Sequence, residues 1–224
     1  VYGIRSSIHR ASFKKLSYVD YFANLIVVRE RNVPIEEILR LLRPAGGIAY
    51  IRDVVGLPRR TEGFNISPSK LEGWQIIRRG RLPGSGVWSH QYGDPANTTC
   101  SQDQHPRDPM RVLWFGQPGP RTMVDRGTHV SAPLSVNGRL YIQGDRRLFG
   151  LDAYNGTILW AVDVPDMRRA NIPRDSGNMV ADGDRLYVAV KDKCWKINGN
   201  SGEIVALFDQ VTPDHEWGYV AYAE

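Results

Sequence analysis

The sequence predicts two kinds of structure in succession: a partial α/β segment, followed by about two to three four-stranded blades of an all-β propeller. Three observations lead to this prediction. Residues 1–51 contain an apolar run, a helical stripe and a second apolar run. Residues 52–87 are rich in Pro, Gly and Arg, as a connecting stretch would be. Residues 88–224 repeat themselves at an offset of 46 residues.

Composition restricts the class of protein. Of the 224 residues, 42% are hydrophobic and 24% are charged, which is ordinary for a soluble protein. The longest apolar run is far too short to cross a bilayer, so we expect no membrane span. The net charge of +5 comes with no nucleic-acid-binding motif, and we therefore expect no nucleic-acid partner.

The first part of the chain, residues 1–51, has the pattern of a β–α–β unit. Residues 24–28 form a β-branched and aliphatic run, typical of a strand buried on both faces of a parallel sheet. Pro34 fits the first turn of a helix, because its missing N–H has no partner there. Residues 48–51 predict the second strand. The helix between them carries one apolar stripe, formed by Ile35, Ile38, Leu39 and Leu42.

This part of the chain resembles the later half of a class I S-adenosylmethionine-dependent methyltransferase. In that family a segment of the form E-x-x-R-x-L-x-P-G-G ends a helix and leads into the fifth strand. Residues 37–47 follow this form, with Ala45 inserted before the two glycines. The family's glycine-rich methionine-binding loop and its ribose-binding acid lie on earlier strands. The resemblance implies a partial methyltransferase-like segment, and a generic Rossmann-like half is the alternative.

Residues 52–87 predict a basic linker or a terminal hairpin. The stretch holds Pro58, Pro68, Pro83 and six glycines, which mark loops and domain boundaries. Within it, residues 73–79 resemble the hairpin strand that class I methyltransferases carry after their fifth strand. We place the domain boundary near Gly86.

The third part, residues 88–224, predicts a meander of short strands. Residues 138–142 align with residues 184–188, and the same offset carries Trp114 onto Trp160. Asn-Gly and Asp-Gly pairs supply the positive φ angles that tight turns need. A period in the forties with several strands per repeat is typical of propeller blades. An all-β sandwich is the alternative.

Residues 150–160 resemble the A-L-D-A-x-T-G-x-x-x-W signature of the pyrroloquinoline quinone (PQQ) enzyme repeat. Residues 88–98 resemble the segment that opens such propellers in quinoprotein dehydrogenases. The resemblance implies a partial PQQ-like propeller over residues 88–224. It also implies that each blade docks onto its neighbour through a repeated set of residues, namely Trp114, Trp160, Gly156 and Gly202.

Candidate functional residues follow from the same resemblance, since the positions just before the first strand of a blade usually line the channel. The five candidates, for which ordinary polar packing is the alternative, are Arg126, His129, Arg174, Asp175 and Asn178. Several quinoprotein families cover the quinone with a disulfide between adjacent cysteines, whereas Cys100 and Cys194 are far apart. The histidines lack the spacing of zinc ligands, so we expect no metal site, and no catalytic residue is predicted.

Three functions are compatible with these patterns. The first is a non-catalytic PQQ-like propeller that scaffolds, or binds a protein or small-molecule ligand at its face, fused behind a methyltransferase-like domain. The second is part of a quinoprotein oxidoreductase that uses PQQ and a metal ion. The third is an S-adenosylmethionine-dependent methyltransferase whose propeller selects the substrate. We expect the first, with this chain itself inactive and free of cofactor.

The ends of the chain indicate a piece of a longer bacterial polypeptide, because residue 1 is Val and residue 224 follows Ala-Tyr-Ala without a closing turn. The two parts imply different compartments. Propellers of this kind are usually periplasmic or otherwise extracytoplasmic, whereas S-adenosylmethionine is cytoplasmic.

Overall fold

Contacts divide the chain into two units, Val1–Leu82 and Pro83–Glu224, so that the division falls slightly before the boundary expected near Gly86. The structure, a computed structural model, describes residues 6–30, 33–52, 62–106, 109–110, 112–119, 131–167, 177–210 and 212–223. Within these ranges, no helix has the length and apolar content that crossing a bilayer requires.

The first unit is a four-stranded sheet with a helix on one face. Strand β1 (Leu25–Val28) runs parallel to β2 (Ile48–Arg52), and α1 (Ile35–Leu41) connects them. Strands β3 (Phe64–Pro68) and β4 (Trp74–Arg79) form an antiparallel hairpin. Because β4 also pairs with β2, the strand order is β1-β2-β4-β3, and the hairpin is part of the sheet.

Helix α1 covers one face of this sheet. Ile38 and Leu42 are buried in a cluster with Ala49, Ile51 and Ile77 from the strands. Since side chains alternate between the two faces of a strand, every second residue of β2 and β4 faces the helix. The apolar stripe predicted from the sequence is therefore the packing surface of α1.

An ion pair on α1 fixes the chain that precedes β1. Glu37 is 6% exposed, and its carboxylate accepts hydrogen bonds from Arg40 Nε at 2.8 Å and from the Leu16 backbone N–H at 2.6 Å. Arg40 also donates to Asp20 Oδ1 at 2.7 Å. The hydrogen bond from Arg40 lowers the pKa of Glu37 to about 2, so the carboxylate is charged at neutral pH.

The second unit contains two four-stranded antiparallel sheets in which each strand pairs with its neighbour in sequence. The first blade consists of β5 (Leu134–Val136), β6 (Arg139–Gly144), β7 (Arg147–Asp152) and β8 (Ile158–Asp163). The second blade consists of β9 (Met179–Asp182), β10 (Arg185–Val190), β11 (Lys193–Asn198) and β12 (Ile204–Asp209). Both are the meander that the sequence repeat predicts.

The repeat extends to the irregularities of the two blades. Strands β6, β7 and β8 each begin 46 residues before their counterparts β10, β11 and β12. The pairing of β7 with β8 shifts register between Gly150 and Leu151, and that of β11 with β12 shifts between Lys196 and Ile197. These two shifts are again 46 residues apart.

One hydrophobic cluster joins the two blades. Strand β5 lies against β9, and the cluster takes buried residues from both sheets, among them Tyr141, Leu148, Leu186 and Ile197. Each meander is complete before the next begins, whereas the strands of a Greek-key sandwich cross between its sheets. The arrangement is that of two successive propeller blades.

Candidate functional site

Trp160, near the middle of β8, joins the first blade to the second. It is 7% exposed, and its indole Nε1 donates a hydrogen bond to the Gly199 carbonyl at 2.8 Å. The ring lies on Gly202, where an added β-carbon would be 2.8 Å from Trp160 Cδ2. The ring also lies against Gly150 of its own blade, where a β-carbon would overlap the indole. Trp160 therefore contacts two glycines, one in each blade.

Trp114 makes two of these contacts one repeat earlier, although residues 112–116 do not form a strand. Its Nε1 donates to the Ala153 carbonyl at 3.0 Å, and its ring lies where a β-carbon of Gly156 would be. The bond spans 39 residues in both cases. The four positions predicted to dock the blades are thus two tryptophan–glycine pairs, each made between consecutive repeats.

The second blade departs from this pattern. Ala206 occupies the position equivalent to Trp160, and Lys196 occupies that of Gly150; the two are paired across β11 and β12. In the first blade the larger side chain of this pair is on the outer strand, β8, whereas in the second blade it is on the next strand inward, β11. The Lys196 ammonium lies 5.9 Å from the centroid of the Tyr187 ring. The corresponding face of the second blade therefore carries a lysine in place of a tryptophan anchor, beside a tyrosine that both blades share, Tyr141 in the first and Tyr187 in the second.

Residues 88–91, here called the inner segment, pair with the innermost strands of both blades. Trp88 and Ser135 exchange two backbone hydrogen bonds, of 2.9 and 2.8 Å, on the edge of β5 that β6 does not use. The Ser89 carbonyl accepts from the Ala181 N–H in β9 at 3.0 Å. In a propeller, the free edges of β5 and β9 would face the central channel. Here the backbone of the inner segment forms hydrogen bonds to both edges.

His90 ties the inner segment to the end of the chain. Its ring is 2% exposed, and Nε2 accepts a hydrogen bond from the Tyr222 backbone N–H at 3.2 Å. The proton of the neutral ring is therefore on Nδ1, which lies 2.8 Å from Ser89 Oγ and donates to it. Burial lowers the pKa of His90, against the opposing attraction of Asp94.

A buried polar group lies between the blades at the start of their inner strands. Ser131 Oγ is 2.8 Å from Gln143 Oε1 and 2.7 Å from Asn178 Oδ1, and Asn178 Nδ2 donates to Gln143 Oε1 at 2.9 Å. Of the channel candidates, Asn178 is thus buried in the blade interface. The other four lie outside the described residues: Arg126, His129, Arg174 and Asp175.

No set of three or more His, Cys, Asp or Glu side chains within the described ranges is placed to hold a metal ion. Cys100 is exposed and Cys194 is buried, and both thiols are free. Burial raises the pKa of the Cys194 thiol.

Comparison with solved structures gives partial alignments. No protein-family model and no curated protein matches the chain. The quinohemoprotein alcohol dehydrogenase ADHIIG from Pseudomonas putida HK5 aligns at 20% identity and a TM-score of 0.41, over 58% of this chain and 20% of that one. BamB from Moraxella catarrhalis aligns at 16% identity and a TM-score of 0.24, over 74% of this chain and 38% of that one.

The chain therefore spans well under half the length of these solved structures. The propeller assignment rests on the blade geometry itself. Sequence reasoning did not find the inner segment or the Ser131 group. The one relevant signal in the sequence was the resemblance of residues 88–98 to the segment that opens quinoprotein propellers. That resemblance did not indicate which strands the segment pairs with.

Replacing Trp160 by Ala should destabilise the second unit sharply. The change removes a buried indole that packs against two glycines. We expect the free energy of unfolding to fall by about 3–5 kcal/mol. Thermal melts of the variant and the parent measure it, with Arg174→Ala and Asp175→Ala as variants that should hardly move the midpoint. An unchanged midpoint for Trp160→Ala would contradict a docking role.

Replacing Gly202 by Ala tests the other half of the same contact. Both Gly202 and Gly183 have positive φ, at +77° and +52°, but an added β-carbon meets the Trp160 ring only at Gly202. We expect Gly183→Ala to lower the free energy of unfolding by about 1 kcal/mol through backbone strain. Gly202→Ala should lower it by about 1–3 kcal/mol more, because the new β-carbon overlaps the indole. Equal costs in chemical denaturation would show that the indole does not depend on that glycine.

The His90 contact should make stability depend on pH. Because the folded protein favours the neutral ring, the unfolded chain takes up the proton first as the pH falls below about 6.5, and the stabilisation declines from there. A His90→Gln variant lacks this titration, so the gap between parent and variant melting points should shrink from pH 7.5 towards pH 5. A gap that stays constant over this range would rule out a buried neutral His90.

Proposed function

We propose that residues 83–224 act as a PQQ-like propeller module that binds or scaffolds, fused to a methyltransferase-like unit. The binding surface would be the face of the propeller, and its ligand a protein or a small molecule. Because propellers of this kind are usually extracytoplasmic, we place the module outside the cytoplasm.

The inner segment carries this proposal. A quinoprotein oxidoreductase needs side chains that project into the channel and hold the quinone and its metal ion. Here the edges of β5 and β9 on the channel side are bonded to the backbone of Trp88 and Ser89. Because these inner edges are hydrogen-bonded to backbone, the structure favours a binding module over an enzyme that encloses a cofactor in its channel.

The order of strands in the first unit supports the methyltransferase-like assignment. A parallel β1–α1–β2 unit is followed by a hairpin whose second strand, β4, returns antiparallel beside β2. This agrees with the hairpin strand that the resemblance places after the fifth strand. It does not depend on the interrupted Pro-Ala-Gly-Gly segment at residues 44–47.

A cavity in the first unit lies where ligands bind in α/β sheets, beyond the carboxyl end of a parallel strand. It has a volume of about 320 Å³ and is lined mainly by apolar side chains, among them Ile26, Val28, Val33 and Ile38. Arg29 and Glu30 supply charge beside them. The size and lining are those of a site for a small, largely apolar group.

Isothermal titration with PQQ in the presence of Ca²⁺, and separately with S-adenosylmethionine, tests these assignments. We expect neither cofactor to bind with sub-micromolar affinity, because the inner edges are bonded to backbone and the glycine-rich loop of the resembling family lies on earlier strands. Since a bound ligand stabilises the fold, the melting point should also move by no more than about 1 °C with either cofactor.

The two titrations have separate consequences. Sub-micromolar binding of PQQ would favour the oxidoreductase alternative over the binding module. Sub-micromolar binding of S-adenosylmethionine would instead support the methyltransferase alternative, with the propeller selecting the substrate.

A further inference from the structure

Positive charge is concentrated in the first unit. Val1–Leu82 contains 15 Lys and Arg residues against 7 Asp and Glu, a balance of +8, whereas Pro83–Glu224 contains 14 against 17, a balance of −3. The first 19 residues contribute four of these cations, and Asp20 is the first acidic residue of the chain. An asymmetry of this size indicates an anionic partner for the first unit.

Residues 6–22, here called the N-terminal segment, lead to β1 without forming a helix or a strand longer than a single bridge. The segment is held on α1 through its backbone. Arg40 donates hydrogen bonds to the Leu16 carbonyl at 3.1 Å and to the Tyr18 carbonyl at 2.8 Å, and Glu37 accepts one from the Leu16 N–H. Because these contacts use backbone groups, they fix the path of the segment and leave its side chains to other contacts.

Most of the large apolar side chains of the N-terminal segment face solvent. Ile8 is 84% exposed, Phe13 is 50% exposed and Val19 is 49% exposed. Tyr18 and Phe22 stack on each other with their ring centroids 4.9 Å apart, and both rings remain exposed on their outer sides. Such a concentration of exposed aromatic and aliphatic side chains marks an interaction surface, whereas scattered single residues do not.

The cations of the segment lie among these apolar residues in the sequence. Arg10, Lys14 and Lys15 are exposed, and no residue in the described part of the chain forms an ion pair with any of the three. After the hydrogen bond from Arg40, the charge of Lys15 also lowers the pKa of Glu37, but that carboxylate is already paired with Arg40 at 2.7 Å. The three positive charges are therefore available to an external anion.

A groove of about 600 Å³ brings charged and aromatic groups of the segment together. Its lining includes Ser7, His9, Arg10, Phe13, Ser17 and Tyr18. The His9 ring meets the Tyr18 ring edge-on, with centroids 6.4 Å apart. A guanidinium and hydroxyl groups bind phosphate oxygens, while the rings beside them suit the apolar part of the same molecule. The groove thus combines the two chemistries of a phospholipid.

We propose that the N-terminal segment binds the surface of a membrane that contains anionic lipids. Phe13 and the other exposed apolar side chains enter the headgroup region, and the three cations bind lipid phosphates. Peripheral anchors combine apolar side chains with Lys and Arg in this way. Nucleic acid fits less well, because Ile8 and Val19 have no ring that could stack on a base. This attachment is independent of what the propeller binds.

Co-sedimentation of the full chain with lipid vesicles tests the proposal. One set of vesicles is phosphatidylcholine alone, and the other is phosphatidylcholine and phosphatidylglycerol in equal parts. We expect the partition coefficient to be about tenfold higher on the anionic vesicles. It should fall as salt is added, because screening weakens the attraction between the cations and the lipid phosphates.

Two pairs of variants locate the contact. Lys14→Glu should lower the partition coefficient on anionic vesicles about tenfold, whereas Lys70→Glu makes the same charge change in the turn between β3 and β4 and should have little effect. Phe13→Ser should also lower it about tenfold, whereas Leu71→Ser should not, although Leu71 is as exposed as Phe13. Because all four side chains are exposed, we expect each variant to fold, and circular dichroism checks this.

Several results would overturn the proposal. Equal partition onto the two kinds of vesicle, or none onto either, would exclude an anionic membrane as the partner. Equal weakening by Lys14→Glu and Lys70→Glu would show that the contact is not made by the N-terminal segment. A loss with Lys14→Glu but not with Phe13→Ser would exclude the entry of apolar side chains. Binding of a labelled single-stranded oligonucleotide, lost in Lys14→Glu, without binding to vesicles would assign the segment to nucleic acid.

Discussion

The second unit depends on a single type of contact, an indole packed against glycine of the following repeat. Trp160 rests on Gly150 of its own blade and on Gly202 of the next, and its Nε1 bonds a carbonyl in the same turn. Because glycine has no side chain, the ring approaches the backbone directly and buries a large area in a fixed position. This contact fixes the spacing of the two blades. The shared core and the inner segment pack at that spacing.

Much of the fold could be predicted from local pattern. The apolar stripe of α1, the short strands and the glycine turns are set by residues close in sequence, and the 46-residue offset aligns Trp114 with Trp160 without any knowledge of contacts. The contacts between Trp160 and Gly202 are also regular, since they join consecutive repeats. A repeat in the sequence therefore reports the packing between blades as well as the strands within them.

Other features were out of reach because they join residues that no period relates. His90 and Tyr222 are 132 positions apart, and the three members of the Ser131 group occupy places that the next repeat fills with other residues. The pair Lys196 and Ala206, in which the large and small residues are swapped relative to Gly150 and Trp160, is another feature that the sequence did not reveal. Ala206 alone predicts a loosened blade, and only the register of β11 against β12 shows that a larger neighbour faces it.

The inner segment has a consequence for the order in which the protein is made. Ser89 leaves the ribosome long before Ala181 of β9, with which its carbonyl is paired, so the first edge of the central ladder waits until most of the unit has been synthesised. Pairings between such distant residues close late and slow folding. During that interval, the inner segment offers the edge that β9 will occupy to any strand nearby, and a chaperone that shields edges would find its target there.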